Sequence, residues 1–320
     1  MSVHLNPVLG RELKERMRGL RAFLALLVFL GLLTLTVWFV YTANRSSGFG
    51  VDLERQTRLG RDLLEWLLSI MLLLLLFLLP GLTSGAIAGE RERQTLLPLQ
   101  ITPLTPRSIL WGKVMAALAY LVLLIVAALP MFAVAYELGG VTLGAVVQGV
   151  LSLLVVGVLV ASMVVAISTF ARRVQTATLM SYTFTALLCI GAPLVYGGIS
   201  LVDSSRGNDL ANAPAALLAV NPAVFVASVT AGENIRVGST PLRALRQGVT
   251  DVYERNGGWF SSPDTDRRAQ VAQGGFVVGD PVSKMPGTTW VVSLGAQAGL
   301  ALLLFGLATR RLRIPAETER

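Results

Sequence analysis

Charge is scarce in this chain. Only 14% of its 320 residues are Asp, Glu, Lys or Arg, where a soluble domain carries about 25%. Hydrophobic residues make up 53% and the mean hydropathy is +0.65. That balance argues against a soluble globular protein. A single cysteine, Cys189, rules out a disulfide framework, and a single histidine, His4, rules out a histidine-based metal site. No G-x-x-x-x-G-K-[ST] loop is present: Gly112-Lys113 lacks the upstream Gly and the following Ser or Thr. Gly81-Leu82-Thr83-Ser84-Gly85 has the outline of a nucleophile motif, but no histidine lies in any apolar run. A Ser–His dyad is therefore impossible, and these small residues read as close helix packing.

What is abundant is apolar sequence in long runs. A helix needs about 20 such residues to cross a bilayer, and six stretches qualify: 22–43, 63–88, 114–136, 143–170, 179–201 and 288–309. The first is longer than a signal-peptide core and no A-x-A site follows it, so it reads as a retained span. No charge lies near the centre of any span. Pro80, Pro130 and Pro193 fall inside spans, where neighbouring groups can re-satisfy the carbonyls they free. Glu65 and Glu137 are the only acids near spans and read as interfacial charges rather than an ion relay. Gly139, Gly140, Gly144, Gly149 and Gly157 are expected to give the fourth span small packing faces, and Cys189 a small apolar core position.

The basic residues are distributed unevenly. Fifteen Lys and Arg, against six acids, lie in the N-terminal arm, the 2–3 connection, the 4–5 connection and the tail; the opposite side is nearly neutral. Positive charge flanking spans marks the cytoplasmic side, so both termini are expected inside, in a plasma (inner) membrane. Trp38, Tyr41, Trp66, Tyr136, Tyr196 and Trp290 fall near the outer boundary, Trp111 and Tyr182 near the inner one.

Outside the spans, residues 5–20 carry Leu5, Leu9, Leu13, Met17 and Leu20 at spacings of three and four. They predict an amphipathic helix, either lying in the headgroup plane or serving as a positive topology anchor. The outer segment 202–287 shows no long periodic pattern. Within it, 213–231 is almost uncharged and is broken at Asn221-Pro222. Two half-helices too short to cross suggest a re-entrant hairpin, with a helix packed on the outer surface as the alternative. The expected fold class is thus an all-α integral membrane protein of six transmembrane helices. It forms one transmembrane domain over 1–320: 1–21 amphipathic helix, 22–201 spans one to five, 202–287 outer loop, 288–309 span six, 310–320 tail.

The segment 89–114, GERERQTLLPLQITPLTPRSILWGKV, is the most distinctive. It starts charged, continues as a short apolar helix and proline-punctuated turns, and re-enters the membrane at Lys113. Leu96, Leu97 and Leu99 form an apolar knob with no lipid to face, flanked by charge, which signals a docked partner. Here the chain resembles the permease subunit of ABC exporters of the type-2 family. Their loop after the second span reads E-R-E-x-G-T-L-x-x-L-L-x-T-P-L-(S/T), with a later Gly-Lys. This chain has Glu90, Arg91, Glu92, Thr95, Leu96, Ile101-Thr102-Pro103-Leu104-Thr105 and Gly112-Lys113. Gln94 replaces the usual Gly, and Pro98 sits where a helix former is common. Asn6-Pro7-Val8-Leu9 with Arg11-Glu12, the six-span plan and the long outer segment also match.

That resemblance implies a coupling helix over 90–105 seated in a cytoplasmic ABC ATPase. Glu90, Arg91, Glu92, Thr95, Leu96, Leu97, Leu99, Thr102, Pro103 and Leu104 would be its coupling residues. Glu90 and Glu92 would pair with basic residues of the ATPase or of the N-terminal helix. ATP and Mg would be bound by the partner, with no cofactor and no catalysis in this chain. A second permease subunit, identical or related, and membrane lipid are the other expected partners; nucleic acid is not. A secondary carrier or a membrane assembly factor without an ATPase is the competing class.

The charge asymmetry predicts Ser108 inside and Ser261 outside. In a Cys189→Ala background, single cysteines at these positions and an impermeant maleimide on spheroplasts should label only position 261. Labelling of 108 alone would reverse the orientation.

Overall fold

The computed structural model describes residues 20–45, 53–95, 105–195, 216–230, 240–256 and 289–312. The amphipathic arm, Leu96, Leu97, Leu99, Thr102, Pro103, Leu104, the outer residues 257–288 and the tail beyond Leu312 lie outside them. Among the described residues the fold is all helical. The helices are α1 (Leu20–Arg45), α2 (Leu53–Thr83), α3 (Gly85–Glu92), α4 (Pro106–Glu137), α5 (Leu143–Ser168), α6 (Val174–Ala186, continuing through a π turn at Leu187–Gly191), α7 (Ala216–Ala219), α8 (Pro222–Val229), α9 (Pro241–Asn256) and α10 (Thr289–Leu312). Six helical segments are long and apolar enough to span a bilayer, so the six expected spans are present. The third begins at Pro106 and the fifth at Val174, earlier than hydropathy placed them. In both cases a polar first turn belongs to the helix although it does not belong to the apolar run.

The chain divides into two compact units. The first comprises residues 1–146, 153–185 and 298–320. In it α2 packs on α1 and α4, and α1 also meets α4. Leu67, Leu68 and Leu75 of α2, Ala117, Leu121 and Leu124 of α4 and Val156 and Val160 of α5 are all buried. Lipid is as apolar as leucine, so such contacts stabilise by close packing rather than by leaving water. Gly157 shows how close. A Cβ there would run into Leu121 Cδ2, with Leu75 Cδ1 at 3.6 Å.

Gly139 and Gly140 depart from the expectation. They have φ of +86° and +75° and form the turn between α4 and α5 rather than a packing face of the span. Only glycine enters that region freely. Thr142 then caps α5, its Oγ1 accepting from Ala145 N at 3.2 Å. The turn lies against α2: Arg61 Nε donates to Gly140 O at 2.5 Å, and Gly60 faces the carbonyls of Gly139 and Ala135. Glu65, expected at the interface, is buried within the protein at 7% exposure.

The second unit comprises 147–152 and 186–297. Its centre is α8, which packs on α7, α9 and the π turn. Val224, Phe225, Val226 and Ala227 are consecutive and all buried, so every face of α8 is covered by protein. The outer segment was expected to lack a periodic pattern, yet α9 is a distinct amphipathic helix. Its Leu242 and Val249 are buried while Ala244 and Gln247 are exposed. Three charges within PLRALRQGVTD hid that stripe in a hydropathy scan.

Glycine 60 has backbone oxygens for neighbours, whereas Gly157 has the ends of leucine side chains. Gly60→Ala should therefore destabilise by about 2–3 kcal/mol and Gly157→Ala by less, since a leucine can rotate away. Thermal unfolding in detergent checks this; equal loss at both positions would contradict it.

Candidate functional site

The candidate site is built around α3, the short helix that precedes the segment 96–104. A short break separates α2 from α3 at Ser84, four residues after Pro80, although Ser84 keeps helical dihedrals and its N donates to Pro80 O at 3.0 Å. Two neighbouring helices occupy the break. From α6, Tyr182 Oη donates to Phe77 O at 2.9 Å and its ring stacks tilted on Phe77, with centroids 5.5 Å apart. Gly81 is small enough to admit that hydroxyl, since a Cβ there would lie 2.8 Å from it. Ser84 Oγ meets Thr178 Oγ1 at 2.8 Å. From α5, Ser168 Oγ accepts the N–H groups of Ile87 and Ala88 at 3.1 and 3.0 Å. A Cβ at Gly85 or Gly89 would meet the Val174 methyls at 3.5 and 3.6 Å, ordinary contact, and Ala88 packs with Ala171 and Ala177. Serine, glycine and alanine here allow α3 to lie almost against the α5–α6 turn.

Three consecutive charges then fix α3 in place. Glu90 Oε1 pairs with Lys113 Nζ of α4 at 2.8 Å. Lys113 is only 1% exposed and Glu90 27%; Glu90 Oε2 has no hydrogen-bond partner among the described residues. Arg91 Nη1 donates to Thr169 O at 3.1 Å and Ala171 O at 2.7 Å. These carbonyls lie just past the C-terminus of α5, where partial negative charge collects. Glu92 Oε2 accepts from Val174 N at 3.1 Å, the first N–H of α6 and the positive end of that helix. Arg91 and Glu92 thus bind opposite helix ends on one turn. The glutamates were expected to reach for an ATPase or the N-terminal arm. Among the described residues Glu90 is engaged by α4 and Glu92 by α6; the N-terminal arm lies outside them.

The helix stops at Gln94, which takes φ of +58°. Gln94 N donates to Arg91 O at 3.1 Å and Thr95 N to Glu90 O at 2.8 Å, the bond pattern of a Schellman ending. Glycine adopts that conformation without penalty; glutamine gives up about 1 kcal/mol. This is the position where the resembled family usually has Gly, so the turn persists here despite the substitution. On the far side of 96–104, Thr105 Oγ1 accepts from Ser108 N at 3.3 Å and Pro106 opens α4. Both ends of the intervening segment are therefore capped and anchored.

Of the expected site residues, the structure places Glu90, Arg91, Glu92 and Thr95 together and does not describe the leucines or Thr102, Pro103 and Leu104. The sequence did not point to Ser168, Thr169 or Thr178 as partners. Lys113 was read as a re-entry marker and as the Gly-Lys of the resembled family, not as a partner of Glu90; its position in an apolar run, 23 residues from Glu90, was the available signal. The arrangement holds no nucleophile beside a base and no metal-binding group of His, Cys, Asp or Glu among the described residues. What it can do is mechanical. It ties α3 to α4 through Glu90 and to the α5–α6 turn through Arg91, Glu92 and Ser168.

Compared with known protein families, residues 7–222 match the family described as ABC-2 family transporter protein. The match covers more than half of the chain, and the protein belongs to that family. No curated protein matches it. The chain is therefore a multi-pass membrane permease of an ABC transporter, a transport subunit and not itself an enzyme, of a family that works with ABC ATPases.

The charged ends of the ion pair are enclosed: Lys113 is buried, and Glu90 Oε2 is buried although the side chain is partly exposed. Glu90→Gln leaves the ammonium without its carboxylate in a site closed to water and should lose about 2–3 kcal/mol. Lys113→Met leaves the carboxylate without its ammonium while its Oε2 is already buried and unpartnered among the described residues, and should also lose about 2–3 kcal/mol. Thermal unfolding of the two variants and of the double variant checks this. The double variant should recover part of the Glu90→Gln loss; strict additivity would contradict direct pairing.

Proposed function

We propose that this chain is the membrane half of an ATP-driven exporter, coupled to a separate cytoplasmic ATPase through the segment that joins α3 to α4. The observation that supports this most is the anchoring of that segment at both ends. Glu90, Arg91 and Glu92 tie its entry to three other helices, and the Thr105 cap ties its exit to α4. An apolar segment mounted on a rigid base suits a mechanical input. Leu96, Leu97 and Leu99 would seat in a cleft of the ATPase, with Thr102, Pro103 and Leu104 shaping the return. The ATPase would bind ATP and Mg. Its closure would push the segment as a rigid body, and the α3 clamp would carry the push into the spans.

The whole chain, 1–320, would act as one permease domain in the plasma (inner) membrane. Both termini would be cytoplasmic, and a second permease subunit, identical or related, would complete the substrate path. Arg91 and Glu92 would be positioning residues of the clamp rather than contacts to the ATPase.

Leu97→Asp should be the most damaging single change in the segment. It removes a leucine contact worth about 2–5 kcal/mol and adds a charge, so ATPase association should weaken by tens- to thousands-fold. Membrane abundance should persist, because no span is altered. Co-purification of the ATPase and ATP-dependent transport are the measurements. Unchanged values of both at normal abundance would remove the docking role.

A further inference from the structure

A second proline-weakened point lies in the fifth span, away from the clamp. Residues 187–191 form a π turn and Pro193 follows. In an α-helix the N–H of residue 193 would bond to Cys189 O, but proline has none. That carbonyl is bonded by another donor. Asn221 Nδ2 donates to Cys189 O at 2.8 Å.

Asn221 is 3% exposed and uses each of its other polar groups as well. Its Oδ1 caps α8 by accepting from Ala223 N at 2.9 Å. Its main-chain oxygen accepts from Gln297 Nε2 of α10 at 3.2 Å. Gln297 Nε2 also reaches Ser293 Oγ at 3.1 Å, and Ser293 Oγ donates to Ala219 O of α7 at 2.6 Å. A buried knot of side chains therefore joins the π turn of α6, the broken helix pair α7–α8 and the first turns of α10.

We propose that Asn221 is the latch of a hinge in the fifth span. With its amide on Cys189 O, the π turn is held to α8 and α10; with the amide released, Leu187–Pro193 can bend. The same side chain caps α8, so bending at the hinge loads the helix pair directly. Pro193 makes the device possible, because it leaves a carbonyl that a side chain can hold or release, whereas a main-chain N–H would hold it permanently. On the permease reading above, on which this rests, the hinge would open and close one end of the substrate path.

Cys189 is the only cysteine of the chain and lies in the π turn itself, so its reactivity reports the hinge directly. The full chain in native membranes is treated with methyl methanethiosulfonate and the labelling rate of Cys189 is measured. Asn221→Ser keeps an acceptor to cap α8 but loses the amide donor. It should raise the labelling rate about tenfold, the effect of one ordinary hydrogen bond. Pro193→Ala restores the main-chain donor. In the Asn221→Ser background it should return labelling to the wild-type rate, and alone it should slow both labelling and transport while the ATPase stays associated. A purely packing role for Asn221 would not be rescued at Pro193. Unchanged labelling in Asn221→Ser, or no rescue by Pro193→Ala, overturns the latch. Should Asn221→Ser fail to accumulate, the single Pro193→Ala variant decides: labelling at or above the wild-type rate overturns the proposal. Because labelling needs no ATP and no partner, these outcomes are independent of whether an ATPase docks at 96–104.

Discussion

The contact on which the clamp depends is the ion pair between Glu90 and Lys113. A lysine ammonium that is 1% exposed in an apolar helix is stable only with a carboxylate against it. That requirement places α3 beside α4. Once α3 is there, the geometry of its neighbours follows. Arg91 faces the end of α5, Glu92 faces the start of α6, and Ser168 sits under two amides of α3. Each of these contacts is modest alone. Together they attach one eight-residue helix to three spans. The last described residues before 96 thus continue from a helix fixed to three spans.

Proline and its replacement donors recur through the structure. Pro80 precedes the break that creates α3, and Tyr182 closes onto the turn beside it. Pro106 and Pro222 open helices in the first turn, where the missing N–H costs nothing, each behind a capping side chain, Thr105 or Asn221. Pro193 frees a carbonyl that Asn221 takes up. At Pro193 a side-chain donor does what a main-chain N–H would otherwise do, whereas Thr105 and Asn221 cap their helices as acceptors. Side chains can be withdrawn, which makes these the points where a helical membrane protein can change shape without exposing unpaired backbone to lipid.

The six spans were legible because a bilayer imposes a length and a composition that hydropathy reads directly. The family resemblance was legible because Glu90, Arg91, Glu92 and the later Thr102-Pro103-Leu104 form a local pattern. The partners of those charges were not legible. Ser168 and Thr169 lie about eighty residues away in sequence, and nothing local marks a serine as the cap of another helix. Gly139 and Gly140 were misread for a related reason: glycine next to a span serves close packing and left-handed turns equally well, and only the backbone distinguishes them. The amphipathic helix α9 was hidden because Arg243 and Arg246 lie on or near its packed side. Arg246 is occupied there by the Ala227 carbonyl of α8 and the hydroxyl of Thr230 at its end, so charge did not mark the solvent face.

The central claim is that the segment mounted on α3 docks a separate ATPase. Its most direct test is a photo-crosslink from the segment itself. A benzophenone amino acid replacing Leu97 is incorporated in the native host, and intact cells are irradiated. The account predicts a covalent adduct between this chain and a nucleotide-binding ABC subunit. A chain present at normal abundance that yields adducts with lipid alone, or with no protein, would contradict it.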